Sequence, residues 1–125
     1  MLGRGDTVAT YVNRGILRMF AGNTKGAVAD YDAAIALDER EAEAWLNKAL
    51  ALLRTGEARG AVELFDAALA RQTREPAIAH FGRAMAHEAA GDVRAAYADL
   101  VRARELSPRW GAPAVELKRF QVRRD

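Results

Sequence analysis

The stretch WLNKALALLRTGEARGAVELFDAALA, from Trp45 to Ala70, decides the fold because the chain carries two related copies of it. The first copy begins at Tyr11, 34 residues earlier, and the third copy follows the second at an offset of 35 residues. In every copy a large residue has alanines four positions before and three positions after it, which is the spacing of one helix face. These residues are Ala27, Tyr31 and Ala34, then Ala61, Phe65 and Ala68, then Ala96, Leu100 and Ala103. This periodicity predicts stacked pairs of antiparallel helices, and no strand pattern accompanies it.

A glycine stands five residues before the first alanine of each copy, where it suits the end of the preceding helix. These glycines are Gly22, Gly56 and Gly91. Asn23 or Thr24 in the first copy and Asp92 in the third are suitable N-caps for the next helix. Glu57 is a weaker cap, so the middle turn is the least well defined of the three.

The three copies together resemble the tetratricopeptide repeat. The matching residues of the second copy are Trp45, Ala49, Leu52, Gly56, Ala61, Phe65 and Ala68. The first copy matches at Tyr11, Gly15, Gly22, Ala27, Tyr31 and Ala34, and the third at Ala84, Gly91, Ala96, Leu100, Ala103 and Pro108. The resemblance implies an all-α, right-handed superhelical solenoid of three helix pairs, followed by a C-terminal capping helix.

The expected organisation is one repeat domain between two short terminal segments. We assign residues 1–7 to a mobile lead, residues 8–41, 42–76 and 77–110 to the repeats, and residues 111–125 to a capping helix and basic tail. Pro76 suits the first turn of a helix, and Pro108 ends the helix before it.

The capping helix is expected to cover the open edge of the last repeat with one apolar stripe. The stripe is Ala114, Val115, Leu117 and Phe120, and the polar side carries Lys118, Arg119, Arg123 and Arg124. This basic cluster lacks interleaved aromatic residues, so we do not expect nucleic-acid binding.

Basic residues replace the usual leucine of the family at one position in every copy. Arg14 precedes Asp30 by 16 residues, and Arg83 precedes Asp99 by the same 16, which predicts two ion pairs across the helix seams. Lys48 faces Leu64 at that spacing, so it is expected to use Glu63 or a neighbouring repeat.

A second apolar stripe runs along the first helix of each pair, about 100° from the stripe that faces the core. With two flanking asparagines it comprises Val12, Asn13, Ile16, Met19, Phe20, Leu46, Asn47, Leu50, Leu53, Ile78, Phe81 and Met85. The resemblance implies that this stripe lines a concave groove for a partner segment, with Asn13 and Asn47 holding its main chain. The alternative is that part of the stripe is ordinary core between neighbouring helices, and the sequence leaves both possibilities open.

The carboxylate clamp found in some members of the family is not expected here. At its positions this chain has Val12, Ile16, Ile78 and Gly82, and Asn47 is the single match.

The sequence contains no arrangement typical of an enzyme. It has no cysteine, and His80 and His87 lack a third ligand at suitable spacing, so we expect no metal and no cofactor. No apolar run is long enough for a membrane span. The expected partner is another protein or peptide, and self-association through the groove or an edge helix is the alternative. The sequence as given suits the cytoplasm, while export remains open if a leader has been removed.

Overall fold

The computed structural model describes residues 4–123, with side chains described for residues 7–120. Within that range the chain forms seven α-helices and no strand. They are α1 (Arg4–Phe20), α2 (Thr24–Leu37), α3 (Ala42–Arg54), α4 (Ala58–Ala70), α5 (Pro76–Ala89), α6 (Val93–Leu106) and α7 (Ala112–Arg123). The all-α prediction is confirmed. Helix α1 begins at Arg4, inside the segment assigned to the lead, whereas Arg124 lies outside the described residues.

Consecutive helices pack as three pairs, and each pair packs against the next to form a helical-repeat solenoid. The large residue that marks each copy, Tyr31, Phe65 or Leu100, is fully buried at the centre of its pair. The alanines on either side of it are also fully buried, because only small side chains let the two helices approach closely. The repeated motif is therefore the core of each pair.

The turns within the pairs contain the helix-ending glycines and the N-caps that the sequence predicts. Gly22, Gly56 and Gly91 have φ angles of 82°, 85° and 94°, in the left-handed region that ends a helix. Asn23 accepts a hydrogen bond from the Gly26 N–H at 3.0 Å, and Asp92 caps α6 in the same way. Glu57 makes no such bond, as its weaker capping ability predicted.

The extra residue between copies two and three lies in the connection from α4 to α5. Gln72 takes the left-handed conformation there, with φ of 59°, in place of a glycine. Glu43 of α3 holds this connection, because its carboxylate accepts hydrogen bonds from the Thr73 hydroxyl at 2.9 Å and the Arg74 N–H at 3.0 Å. The insertion is therefore absorbed in the connection and leaves both helices intact.

The predicted seam ion pairs are confirmed. Arg14 donates to Asp30 at 2.6–3.2 Å, and Arg83 donates to Asp99 at 2.8 Å. Lys48 pairs with Asp32 of the preceding repeat at 2.7 Å, the second of the two options its sequence position left open.

Each buried aspartate also has a second partner. Arg18 donates to Asp30 at 3.1 Å. His80 Nδ1 lies 2.8 Å from Asp99, and His87 is nearby at 3.8 Å, so both histidines belong to the scaffold.

The face that α7 turns toward the solenoid was predicted only in part. Leu117 and Phe120 are buried against α5 and α6, as expected. Val115 is 59% exposed and Ala114 is also exposed, so their inclusion in the buried stripe was wrong, and Pro113 is buried instead. Residues 113, 117 and 120 follow the helical period more closely than 114 and 115 do, which places them together on one face.

Candidate functional site

The candidate site is an apolar cavity between the C-terminal halves of α1 and α3. Its volume is about 220 Å³, and its lining combines residues of the first two repeats. The lining residues are Ile16, Met19, Phe20, Tyr31, Asn47, Leu50 and Arg54. Five of these belong to the predicted groove, so the structure brings that part of the predicted set together.

Tyr31 forms the floor of the cavity. Burial, together with the nearby carboxylate of Asp30, raises the pKa of Tyr31 to about 12. The phenol is therefore neutral at physiological pH, and the floor presents an uncharged aromatic surface. A surface of this kind favours an apolar side chain over a charged one.

Asn47 lies at the cavity with part of its hydrogen-bonding capacity already used. One amide N–H donates to the Glu43 carbonyl oxygen, one turn earlier in α3, at 2.8 Å. That bond fixes the orientation of the side chain, which leaves the second N–H and the carbonyl oxygen for other partners.

Asn13 lies in a different depression from Asn47. It is exposed and lines a smaller hollow of about 120 Å³ together with Val12 and the acidic residues Glu41 and Glu43. The two asparagines therefore do not face one common cavity. They correspond in sequence, but the cavity's lining includes only the second of them.

Two members of the predicted groove are largely buried. Val12 is 9% exposed, and Leu46 is 4% exposed within the core between α3, α4 and α5. Leu53 is partly buried against the same core. These side chains lie beneath the groove and expose little surface to a partner.

The third repeat contributes less open groove than the first two. The Phe81 ring packs against Trp110 with a centroid distance of 4.9 Å. Met85 packs against the cluster that contains Leu117 of α7, and Ile78 is exposed. The connection into α7 thus covers part of the predicted groove at this end.

The absence of a third asparagine at Gly82 has a steric explanation. A Cβ atom at Gly82 would overlap the ring of Phe65 in the preceding pair. Glycine at this position lets α5 approach α4 closely, so a side chain with a functional amide is excluded there.

Sequence reasoning missed three features: Tyr31 and Arg54 as members of the cavity lining, and the exposed Leu17 on α1. Leu17 is 67% exposed on the outer side of α1. At the equivalent positions of the next two pairs stand Ala51 and Ala86, which are completely buried. A leucine aligned with two alanines was the signal that could have revealed this exposed position.

The described part of the chain contains neither a metal-binding cluster nor a membrane-spanning helix. The side chains described for residues 7–120 include no group of three able to hold a metal ion. Within the same range, no helix has both the length and the apolar character needed to cross a bilayer. The described residues do provide an apolar surface to which another molecule can bind.

Stacked helix pairs with a recessed apolar surface define this chain as an all-α helical-repeat protein. Its sequence matches the tetratricopeptide repeat family over residues 12–72 and 48–109. The chain therefore belongs to the tetratricopeptide repeat family, whose members are peptide-binding modules for protein interaction. No curated protein sequence shows significant similarity to it.

Solved structures of other tetratricopeptide proteins have the same fold. The first such domain of Spaghetti (RPAP3), bound to the HSP90 peptide SRMEEVD, superposes with a TM-score of 0.88 at 21% identity, covering 94% of this chain and 92% of that one. The OM64 domain of Arabidopsis gives 0.88 at 24% identity, covering 94% and 96%. The translocator chaperone SycD of Yersinia enterocolitica gives 0.88 at 16% identity, covering 96% of both chains. At these identities the likeness establishes the fold alone.

Proposed function

We propose that this protein is a non-enzymatic adaptor that binds a segment of another protein in the groove along α1 and α3. The observation that carries the proposal is the apolar cavity of about 220 Å³ between these helices. It is lined by Ile16, Met19, Phe20 and Leu50, with the Asn47 amide beside them. Apolar side chains would supply most of the affinity, and the amide would set the register of the bound main chain.

Phe20 supports an open site because 87% of its surface is exposed although it lines the cavity. A large aromatic residue in such a position gains free energy when a partner covers it. A structural relative bound to a peptide, the RPAP3 domain with its HSP90 peptide, lends this proposal support by analogy.

The test uses peptides selected on the wild-type protein from a displayed library of random dodecamers. Phe20→Ala should weaken the binding of a selected peptide about tenfold or more, because a buried aromatic contact is lost. The fold should be unaffected, since Phe20 is exposed. Val115→Ala, at an exposed residue of α7, is the matched control and should bind as wild type does.

Asn47→Ala should weaken the same peptide about two- to tenfold, because one net hydrogen bond is lost. Asn13→Ala should have a smaller effect, because Asn13 does not line this cavity. Selected peptides that bind Phe20→Ala and Asn47→Ala with wild-type affinity would remove the groove from consideration.

Self-association is a second candidate function, favoured by the outer side of α1. Leu17 is 67% exposed there, and an isologous contact between two copies would cover it. Light scattering would then give the mass of a dimer, and Leu17→Asp would return it to that of a monomer. Leu17 does not line the cavity, so this variant should retain peptide binding. A monomeric wild-type protein at high concentration would eliminate this candidate.

A further inference from the structure

Arg54 is a charged residue at the rim of an otherwise uncharged cavity. It is the last residue of α3 and is exposed. Among the described side chains that line the cavity, Arg54 alone carries a charge. Arg54 therefore lines the same cavity as the apolar side chains of Phe20 and Leu50.

The other basic side chains described on the first helices are paired with aspartates of the scaffold. Arg14 and Arg18 bind Asp30, Lys48 binds Asp32, and Arg83 binds Asp66 and Asp99; these partners are aspartates of the second helices. Within the described residues no ion pair involves Arg54. Its charge is therefore available to a ligand, whereas the charges of the seam residues are not.

A basic residue in the last turn of a helix also interacts favourably with the helix dipole, so that role needs separate consideration. The carbonyl groups at this end of α3 are already bonded: Thr55 N–H donates to Ala51, Gly56 N–H to Leu53 and Glu57 N–H to Leu52. The end of the helix therefore does not require the Arg54 side chain as a hydrogen-bond donor.

Building on the proposed function, we propose that the cavity selects an extended peptide with an acidic side chain close to its apolar anchor. The anchor, a leucine, methionine or phenylalanine, would enter between Met19, Phe20 and Leu50. The aspartate or glutamate, within two residues of the anchor, would face Arg54, while Asn47 binds the intervening main chain.

The acidic group is assigned to an internal side chain and not to the terminal carboxylate of a peptide. A terminal carboxylate needs several converging donors, and the lining supplies one cation and one amide. Val12, Ile16 and Gly82 cannot add further donors from their side chains. A single exposed arginine is sufficient for a side-chain carboxylate near an apolar contact.

The experiment selects the random dodecamer library separately on wild type, Arg54→Gln and Arg54→Glu, with Arg59→Gln as the control. Arg59 is an exposed arginine of the neighbouring helix α4 and lies outside the cavity lining. Wild type and Arg59→Gln should enrich acidic residues within two positions of an apolar residue. Arg54→Gln should lose the acidic preference, and Arg54→Glu should replace it with a basic one, while all four retain the apolar requirement.

The contribution of Arg54 to affinity is then measured with a selected peptide whose two ends are blocked. Changing its acidic residue to the corresponding amide should weaken binding to wild type about two- to fivefold and leave binding to Arg54→Gln unchanged. Added salt should reduce the difference, because the pair is exposed. A preference that requires a free peptide C-terminus would overturn the assignment to a side chain.

The outcomes separate this inference from the proposed function. Peptides that depend on Phe20 but show no acidic preference, or an acidic preference that survives in Arg54→Gln, would overturn the inference alone. If no peptide is enriched on wild type, or if binding ignores Phe20→Ala, both proposals fail together.

Discussion

The two ends of the solenoid differ in how the outer faces of their last helices are covered. At the C-terminal end, α7 covers the last pair with Leu117 and Phe120, which are 5% and 7% exposed. At the N-terminal end no described element covers the outer side of α1, and Leu17 and Phe20 remain exposed.

The equivalents of Leu17 explain the difference. Ala51 and Ala86 are buried because a preceding pair packs on them, whereas α1 has no preceding pair in the described chain. Exposure at the first helix is thus set by position in the array. Since Leu17 is larger than the alanines that pack between repeats, the outer side of α1 is not a simple copy of an internal interface.

The largest expected effect comes from making the same substitution at both ends. Leu117→Ala should lower the free energy of unfolding by about 2–5 kcal/mol, because it leaves a cavity beneath α7. Leu17→Ala should change it by less than about 0.5 kcal/mol, because the side chain is mostly in solvent. Urea denaturation followed by circular dichroism measures both. Equal losses would mean that the N-terminal edge is covered after all, for example by a second copy.

The seam aspartates give the next comparison. Asp99→Asn should lower the free energy of unfolding at pH 7 by about 1.5–3 kcal/mol, because charged hydrogen bonds from Arg83 and His80 are weakened. Asp30→Asn should have a smaller effect, because the Arg14 side chain is 50% exposed, against 23% for Arg83. Denaturant titration of the two variants at pH 7 measures the difference.

The pH dependence of both variants follows from the pKa shifts. The hydrogen bond from Arg14 lowers the pKa of Asp30. Burial alone would raise the pKa of Asp99, but the hydrogen bonds from Arg83 and His80 outweigh it, so that pKa is lowered as well. The stabilisation by each carboxylate is therefore present above the unfolded-state pKa of about 3.9 and is lost as the pH falls through the folded-state pKa. The gap between wild type and each variant should narrow as the pH is lowered from 7 into the acid range; a gap that stays constant over that range would contradict this account.

The smallest expected difference is between two glycines, one packed within the first pair and one packed between the second and third pairs. Gly15→Ala would bring a methyl group against Tyr31, and Gly82→Ala would do the same against Phe65. Each should destabilise by about 1–3 kcal/mol through overpacking, and thermal unfolding measures it. Gly111→Ala is the control, because nothing lies within 4 Å of its added methyl group. Strongly unequal losses would show that the packing within a pair and the packing between pairs differ in how far they can relax.

Much of the fold could be predicted because it depends on local features. The glycines, the caps and the offset of 16 residues between Arg14 and Asp30 are set by helix geometry within one pair. The face of α7 could not be predicted in full, because its sequence offers apolar residues on two sides. Which side is buried depends on the surface of α6, a tertiary property that periodicity does not contain.

The candidate site was predictable to a smaller extent. Met19, Phe20 and Leu50 follow from the second stripe, but the separation of Asn13 from Asn47 depends on how α1 and α3 lie relative to each other. The packing of Phe81 against Trp110 likewise joins residues of α5 and of the connection into α7. A repeat alignment compares equivalent positions, and it cannot tell which of them are covered by non-repeated elements.

An ion pair recurs at the same position between neighbouring pairs. Lys48 pairs with Asp32 and Arg83 with Asp66, each reaching back to the same position of the pair before it. The third pair carries Val101 at that position, and Val101 packs against the cluster that holds Leu117.

In a chain that lacked the third pair, the carboxylate of Asp66 would lack the cation that Arg83 supplies. A chain that gained a pair after the third would set a basic residue against Val101. A pair inserted after the third would therefore make one ion pair fewer than the internal pairs do, a loss of about 1 kcal/mol or less at this exposure.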